Sequence, residues 1–244
     1  MVALYDTIGK NYTDLRQPDP SIERAIYRAL GDAVSVLNVG AGCGSYEPLD
    51  RSVVSVEQSM TMIRQRPPGA APVVQATAMA LPFGTDIFDA SIAILSVHHW
   101  PDKERGLEEL RRVSRGRVVV LTWDPTYSGF WLTDYFPEIL EIDRLLFPML
   151  HQYEHVLGPT KVIDVLIPHN CTDGFMGAYW CRPEAYLSKR VRSAISTFSK
   201  LRDATPGLQQ LDRDLNSGKW RSRYGNVLNR TELDLGYRLV IANP

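Results

Sequence analysis

Val36-Leu37-Asn38-Val39-Gly40-Ala41-Gly42-Cys43-Gly44-Ser45 is the stretch on which the fold turns. A short run suited to a strand gives way at Gly40 to glycine at alternate positions, so a strand ends in a turn of bare main chain that a ligand can approach closely. Outward from there, short β-branched runs at residues 34–39, 53–56, 73–74, 90–95 and 118–121 alternate with helical or turn-rich stretches, the rhythm of a parallel sheet. Most of these runs are apolar on successive residues, as strands covered on both faces are. In such sheets ligands settle beyond the carboxyl ends of the strands, beside the switch in strand order, which makes the glycine turn a natural floor for a nucleotide-like molecule. Glu57, ending the second run, supplies a carboxylate able to accept hydrogen bonds from the two hydroxyls of a ribose.

Helices are expected above and below the sheet. Ile22, Ala25, Ile26, Ala29 and Leu30 recur at helical spacing, with Asp19 or Ser21 as caps and Gly31 as the stop. A crossover helix capped by Asp102 carries Leu107, Leu110 and Val113 on one face, with Arg111, Arg112 and Arg115 near its end, where the helix dipole favours cations. Residues 40–52 leave room for about one helical turn between the first two strands. The spacing predicts a cofactor-binding core over residues 1–124 and a helical lid insertion over 125–160. An edge strand over 161–168, a second helical insertion over 169–234 and a last strand over 235–244 complete the chain. The expected class is α/β: a Rossmann-like, doubly wound, mostly parallel seven-stranded sheet with an antiparallel last strand.

The chain has 244 residues, 44% apolar and 23% charged, and its 27 basic against 28 acidic side chains leave a formal charge of -1. That balance gives no chain-wide positive field for nucleic acid. Cys43, Cys171 and Cys181 form an odd set without a C-x-x-C pair, which argues against a disulfide framework and against structural zinc. His151 and His155 stand four apart, but in the order His-Gln-Tyr-Glu-His, so no metal is expected. No apolar run reaches the roughly 20 residues of a membrane span. The opening residues lack the charged and apolar regions of a signal peptide, so a cytoplasmic protein is expected.

The glycine spacing departs from the dinucleotide fingerprint: position 45 is Ser45, and the third glycine comes early at Gly44. No phosphate-loop motif with its lysine occurs anywhere in the chain. What the glycine turn, Glu57, the stretch Ala76-Thr77-Ala78-Met79-Ala80-Leu81-Pro82-Phe83 and Phe88-Asp89-Ala90 do resemble is the nucleotide-binding half of class I S-adenosylmethionine-dependent methyltransferases, especially the small-molecule group similar to ubiquinone and menaquinone biosynthesis enzymes. The resemblance covers roughly the first half of the chain.

The resemblance implies S-adenosylmethionine as cofactor, S-adenosylhomocysteine as product and a small-molecule acceptor as partner. It places Gly40, Ala41, Gly42 and Gly44 along the methionine and ribose side, Glu57 on the ribose, and Gln58 and Met62 beside it. Thr77, Ala78 and Met79 fall in the adenine loop, Ser96 opens the segment that closes the active site, and Tyr12 and Arg16 reach the cofactor carboxylate from an amino-terminal cover helix. His98 and His99, at the end of the fourth strand, are the candidates for taking a proton from the acceptor. Tyr5, Ile8, Trp123, Tyr127, Trp131 and Tyr179 are the candidate acceptor contacts. Two departures from the family pattern stand out: Asn38 and Thr77 occupy positions where acidic residues are usual. The alternatives are a protein that uses the sulfonium without transferring methyl, as in a cyclisation, and a dinucleotide-dependent oxidoreductase. RNA methylation is disfavoured by the charge balance, although Arg190, Arg192, Lys200 and Arg202 form a local basic cluster.

Overall fold

The computed structural model describes residues 15–243, so Tyr5, Ile8 and Tyr12 lie outside the described residues. Helix α1 (Pro20–Leu30) starts as its sequence dictates: Pro20 opens the first turn, and the Asp19 carboxylate accepts the Ser21 N–H at 2.9 Å. Strands β1 (Ser35–Val39) and β2 (Ser52–Glu57) follow, then the single turn α2 (Met60–Ile63) and strands β3 (Val73–Gln75) and β4 (Phe88–Ile94). Helix α3 (Lys103–Val113), strand β5 (Ser114–Trp123) and helices α4 (Glu138–Leu146) and α5 (Leu150–Leu157) lead to β6 (Thr160–Asp164) and the two-residue β7 (Ile167–Pro168). The last third holds α6 (Lys189–Ser193), α7 (Thr205–Asn216), α8 (Lys219–Tyr224), the short β8 (Glu232–Leu233) and β9 (Tyr237–Ala242).

Seven strands form one sheet in the order β3-β2-β1-β4-β5-β9-β6, with β9 antiparallel to both its neighbours and the first five strands parallel. The strand order reverses between β1 and β4, which places the glycine turn at the switch point. Alternate strand residues feed two cores. Val36, Ala90, Ile92, Val119 and Leu121 pack with Ile22, Ile26 and Leu30 of α1, whereas Leu37, Val39, Val118 and Val120 pack with Leu107, Leu110 and Val113 of α3. This is the double winding that unbroken apolar strands require.

Three elements differ from expectation. Helix α5 carries Tyr153 and Leu157 into the core beneath α3, so it is a layer helix of the sheet and not part of a lid. The edge strand expected over residues 161–168 ends at Asp164, and Ile167–Pro168 pairs instead with Glu232–Leu233 in a separate ribbon. Within the helical insertion expected over residues 169–234, the chain breaks into 3-10 turns on either side of α6.

No helix forms between β1 and β2; residues 41–51 are turns. Side chains fill the place. Tyr46 and Glu47 are buried, and Glu47 faces Arg66 at 2.7 Å while accepting hydrogen bonds from Ser55 Oγ at 2.6 Å and the Ala71 N–H at 3.1 Å. Arg66 also donates to the Ala71 carbonyl at 2.9 Å. Both partners of this pair are therefore satisfied on several sides, the condition under which a buried ion pair persists. Removing Arg66 alone strands the carboxylate: Arg66→Met is expected to lower stability by about 3–5 kcal/mol in urea denaturation, and Glu47→Gln in the same chain to recover part of it.

Candidate active site

Main-chain hydrogen bonds carry β1 directly into the glycine turn, for the N–H groups of Gly40 and Ala41 both donate to the Val56 carbonyl, at 2.9 and 3.0 Å. Gly40 has φ +71°, and a Cβ there would come within 2.6 Å of Ser96 Cβ. Only glycine lets the turn lie so close to the end of β4. Ser96 fixes this approach by donating its hydroxyl to the Val39 carbonyl at 3.0 Å.

Glu57 ends β2 under the turn, its Oε2 accepting the Gly42 N–H at 2.8 Å and its Oε1 accepting the Ser59 N–H at 2.7 Å. Each carboxylate oxygen retains a second acceptor site, so two further donors such as vicinal hydroxyls can be received. Met62 packs against Gly42, with its methyl 3.3 Å from where a Cβ would stand. The turn, Glu57, Met62, Ser96 and Asn38 line a cleft whose further wall is Tyr46, Ile94, Leu95, His99 and Arg16. Cys43 also lines it, but burial pushes its thiol up to about 11, so it is a small wall residue and not a nucleophile at neutral pH.

A second cavity shares Arg16, Leu95 and His99 with the first. Its walls are largely aromatic and apolar, with Trp123, Phe147, Phe175, Met176, Ile195 and Tyr237 among them, and the Asp143 side chain reaches it from α4. Leu95, at the junction, has φ +48°, a left-handed conformation that is costly for a branched side chain and that clusters at functional sites. The His98 ring stacks on Phe147 with centroids 4.1 Å apart. Burial holds both histidines neutral: His99 is lowered to about 3, with Lys200, Arg16 and Lys103 adding to the effect, and His98 is lowered in the same direction by burial and by His99. A neutral imidazole in this position can accept a hydrogen bond, but the same burial makes it a weak base.

The remaining expected contacts are dispersed. Gly44 stands at the back of the turn near Arg66, and Gln58 is exposed. Thr77, Ala78 and Met79 form a turn held from behind by α3, where Glu109 accepts the Leu81 N–H at 2.8 Å and Arg112 donates to the Phe83 carbonyl at 2.8 Å. Arg16 touches both cavities, yet its guanidinium pairs with Asp173, which also accepts the Tyr46 hydroxyl at 2.9 Å. Of the four aromatic contacts within the described residues, Trp123 alone lines the second cavity. Trp131 is 5% exposed and sits in the lid core among Tyr135, Tyr186 and Trp220 with its indole N–H on the Trp180 carbonyl at 2.7 Å. Tyr127 clasps the Asp234 carbonyl at 2.6 Å, and Tyr179 lies under Arg182. Sequence reasoning missed Leu95, Tyr46 and Asp143. The last was legible in principle, since it stands four residues after Ile139 on the buried face of α4.

A family described as "Methyltransferase domain" matches residues 37–121, from β1 to within β5. A solved structure from Anabaena variabilis ATCC 29413, described as a candidate methyltransferase from an antibiotic biosynthesis pathway, is 32% identical. It superposes with a TM-score of 0.85 over 93% of this chain and 98% of that one. The chain accordingly belongs to the class I S-adenosylmethionine-dependent methyltransferases. Rice (Oryza sativa subsp. japonica) 2-methyl-6-phytyl-1,4-hydroquinone methyltransferase 2 is 35% identical over 81 residues, which make up 33% of this chain and only 22% of that enzyme. The cyclase SpnF shares the fold, at 14% identity and a TM-score of 0.56.

The two histidines have a signature in acid. A histidine whose folded-state pKa lies below its unfolded value near 6.5 takes up its proton first in the unfolded chain, so stability present above pH 6.5 is lost as pH falls towards 3. At about pH 5 the loss through His99 amounts to at most about 2 kcal/mol. Denaturant titrations of His99→Asn and of the unaltered chain at about pH 7 and pH 5 are expected to show the smaller acid-side loss in the variant.

Proposed function

We propose that this protein transfers the methyl group of S-adenosylmethionine to an oxygen, nitrogen or carbon of a small, aromatic or prenylated acceptor. The observation that carries the reading is that two cavities lie side by side: a glycine and carboxylate berth and an aromatic chamber share Arg16, Leu95 and His99 as lining residues. The berth suits the cofactor, because Glu57 keeps acceptor sites free beside a turn into which no side chain projects at Gly40 and Gly42. The name of the rice relative, a hydroquinone methyltransferase, supports the acceptor class.

Bound there, the sulfonium supplies an electrophilic methyl group. The chain's own share is then mainly positioning. Glu57 and the glycine turn fix the nucleoside, Leu95 and Ser96 set the wall of the junction, and the aromatic chamber orients the acceptor and excludes water. Positioning of this kind is worth roughly 7–11 kcal/mol, against about 3–5.5 kcal/mol from a general base. His99, which lines both cavities, is the candidate to receive the acceptor's proton, and its lowered basicity limits that contribution further below positioning. The described residues include no helix long and apolar enough to cross a membrane. The proposed partner is a small-molecule acceptor.

Calorimetric titration with S-adenosylhomocysteine and product analysis with methyl-labelled cofactor test this together. Gly42→Val should abolish binding, because φ is +53° and Met62 already stands against the turn. Glu57→Ala should raise Kd about ten- to hundredfold, the worth of hydrogen bonds to a charged group. His99→Ala should lower kcat while leaving Kd nearly unchanged. Undiminished binding by Gly42→Val, or label that never leaves the cofactor in the presence of extract-derived acceptors, overturns the proposal.

A further inference from the structure

The lid contributes one charged group that nothing above uses. Asp143, on α4, is 0% exposed and lines the aromatic chamber. Its Oδ1 accepts the Thr197 hydroxyl at 3.1 Å, whereas its Oδ2 has no hydrogen-bond partner among the described residues. A buried carboxylate oxygen left unmatched is expensive to keep, and one that borders a cavity calls for a donor from a ligand or ordered water.

We propose that Asp143 is the specificity-determining contact for the acceptor: its free oxygen receives a hydrogen bond from a hydroxyl carried on an aromatic ring. The ring is called for by Trp123, Phe147, Phe175 and Tyr237, which leave flat apolar walls around the carboxylate. A neutral hydroxyl fits better than an ammonium group, because Arg16 lines the same chamber and the positive charge of Lys200 already acts on Asp143. The inference rests on the second cavity's being the acceptor site, but it concerns one side chain and is separable from cofactor binding.

Burial raises the Asp143 carboxyl to about 7, with the Thr197 hydroxyl and Lys200 opposing the rise. The other titratable groups facing the chamber hold one charge state between pH 5.5 and 8.5: His99 is lowered to about 3, His98 is lowered well below its ordinary value, Tyr237 is raised, and the Arg16 guanidinium stays protonated. A change in ligand preference around neutrality is therefore a property of Asp143.

The test uses the full chain saturated with S-adenosylhomocysteine and follows 4-fluorophenol and its methyl ether, 4-fluoroanisole, by fluorine NMR titration. At about pH 8.5 the phenol is expected to bind about ten- to hundredfold more tightly than the ether, as a hydrogen bond to a charged group implies. At about pH 5.5, with the carboxyl protonated and able to donate to the ether oxygen, the preference should shrink. Asp143→Val should abolish it with S-adenosylhomocysteine affinity unchanged. Equal affinities at pH 8.5, no binding of either probe, or a preference undiminished in Asp143→Val overturns the assignment. Because the unaltered chain is measured at two pH values, the result does not depend on the variant folding. Retained S-adenosylhomocysteine binding alongside a failed probe test would sink this inference and leave the cofactor reading standing.

Discussion

The Glu57 carboxylate ties the second strand to the glycine turn of the first. One oxygen holds the Gly42 N–H and the other the Ser59 N–H, so a single side chain sets the shape of the turn and starts the helical turn that brings Met62 against it. A carboxylate suits this position because it accepts four hydrogen bonds, of which two go to main chain and two stay open towards the cleft. An amide in its place would turn donors towards the turn's own N–H groups. The berth therefore comes ready-shaped, and little ordering is left to be done on binding.

The rest of the site depends on that geometry being braced from behind. Here a connection too short for a helix is backed by Tyr46 and by the Glu47–Arg66 pair, whose hydrogen bonds reach Ser55 on β2 and the Ala71 main chain. Tyr46 continues the brace to the lid, since its hydroxyl meets Asp173, the partner of Arg16. Two buried polar chains, one of Glu47, Arg66 and Ser55 and one of Tyr46, Asp173 and Arg16, are thus joined through the Tyr46–Glu47 peptide behind the cleft. Such chains, fully satisfied, specify a unique arrangement better than apolar packing alone.

The sheet was legible because its strands are short, apolar and β-branched, and because parallel strands buried on both faces leave that mark. The glycine turn and Glu57 were legible for a related reason: close backbone approach restricts the residue type, and an acidic group at a strand tip stands out against an apolar run. The acceptor side was not. Trp123, Tyr127, Trp131 and Tyr179 look equivalent as aromatic residues after the fifth strand, yet three of the four are spent on packing, with Trp131 and Tyr127 anchoring main-chain carbonyls. Which aromatic side faces the chamber depends on how the broken helices of residues 125–234 stack, a matter of tertiary packing that no local period encodes. Asp143 escaped notice because the apolar residues around it, Ile142 and Leu145, are not the buried face; Leu145 is exposed, and Ile139 with Asp143 points inward.

A crystal structure of the full chain with S-adenosylhomocysteine tests the central claim most directly. The account predicts both ribose hydroxyls on the Glu57 carboxylate, the glycine turn unmoved, and the sulfur at the Leu95 and His99 junction facing the aromatic chamber. A ligand bound elsewhere, or a sulfur turned away from that junction, would contradict it.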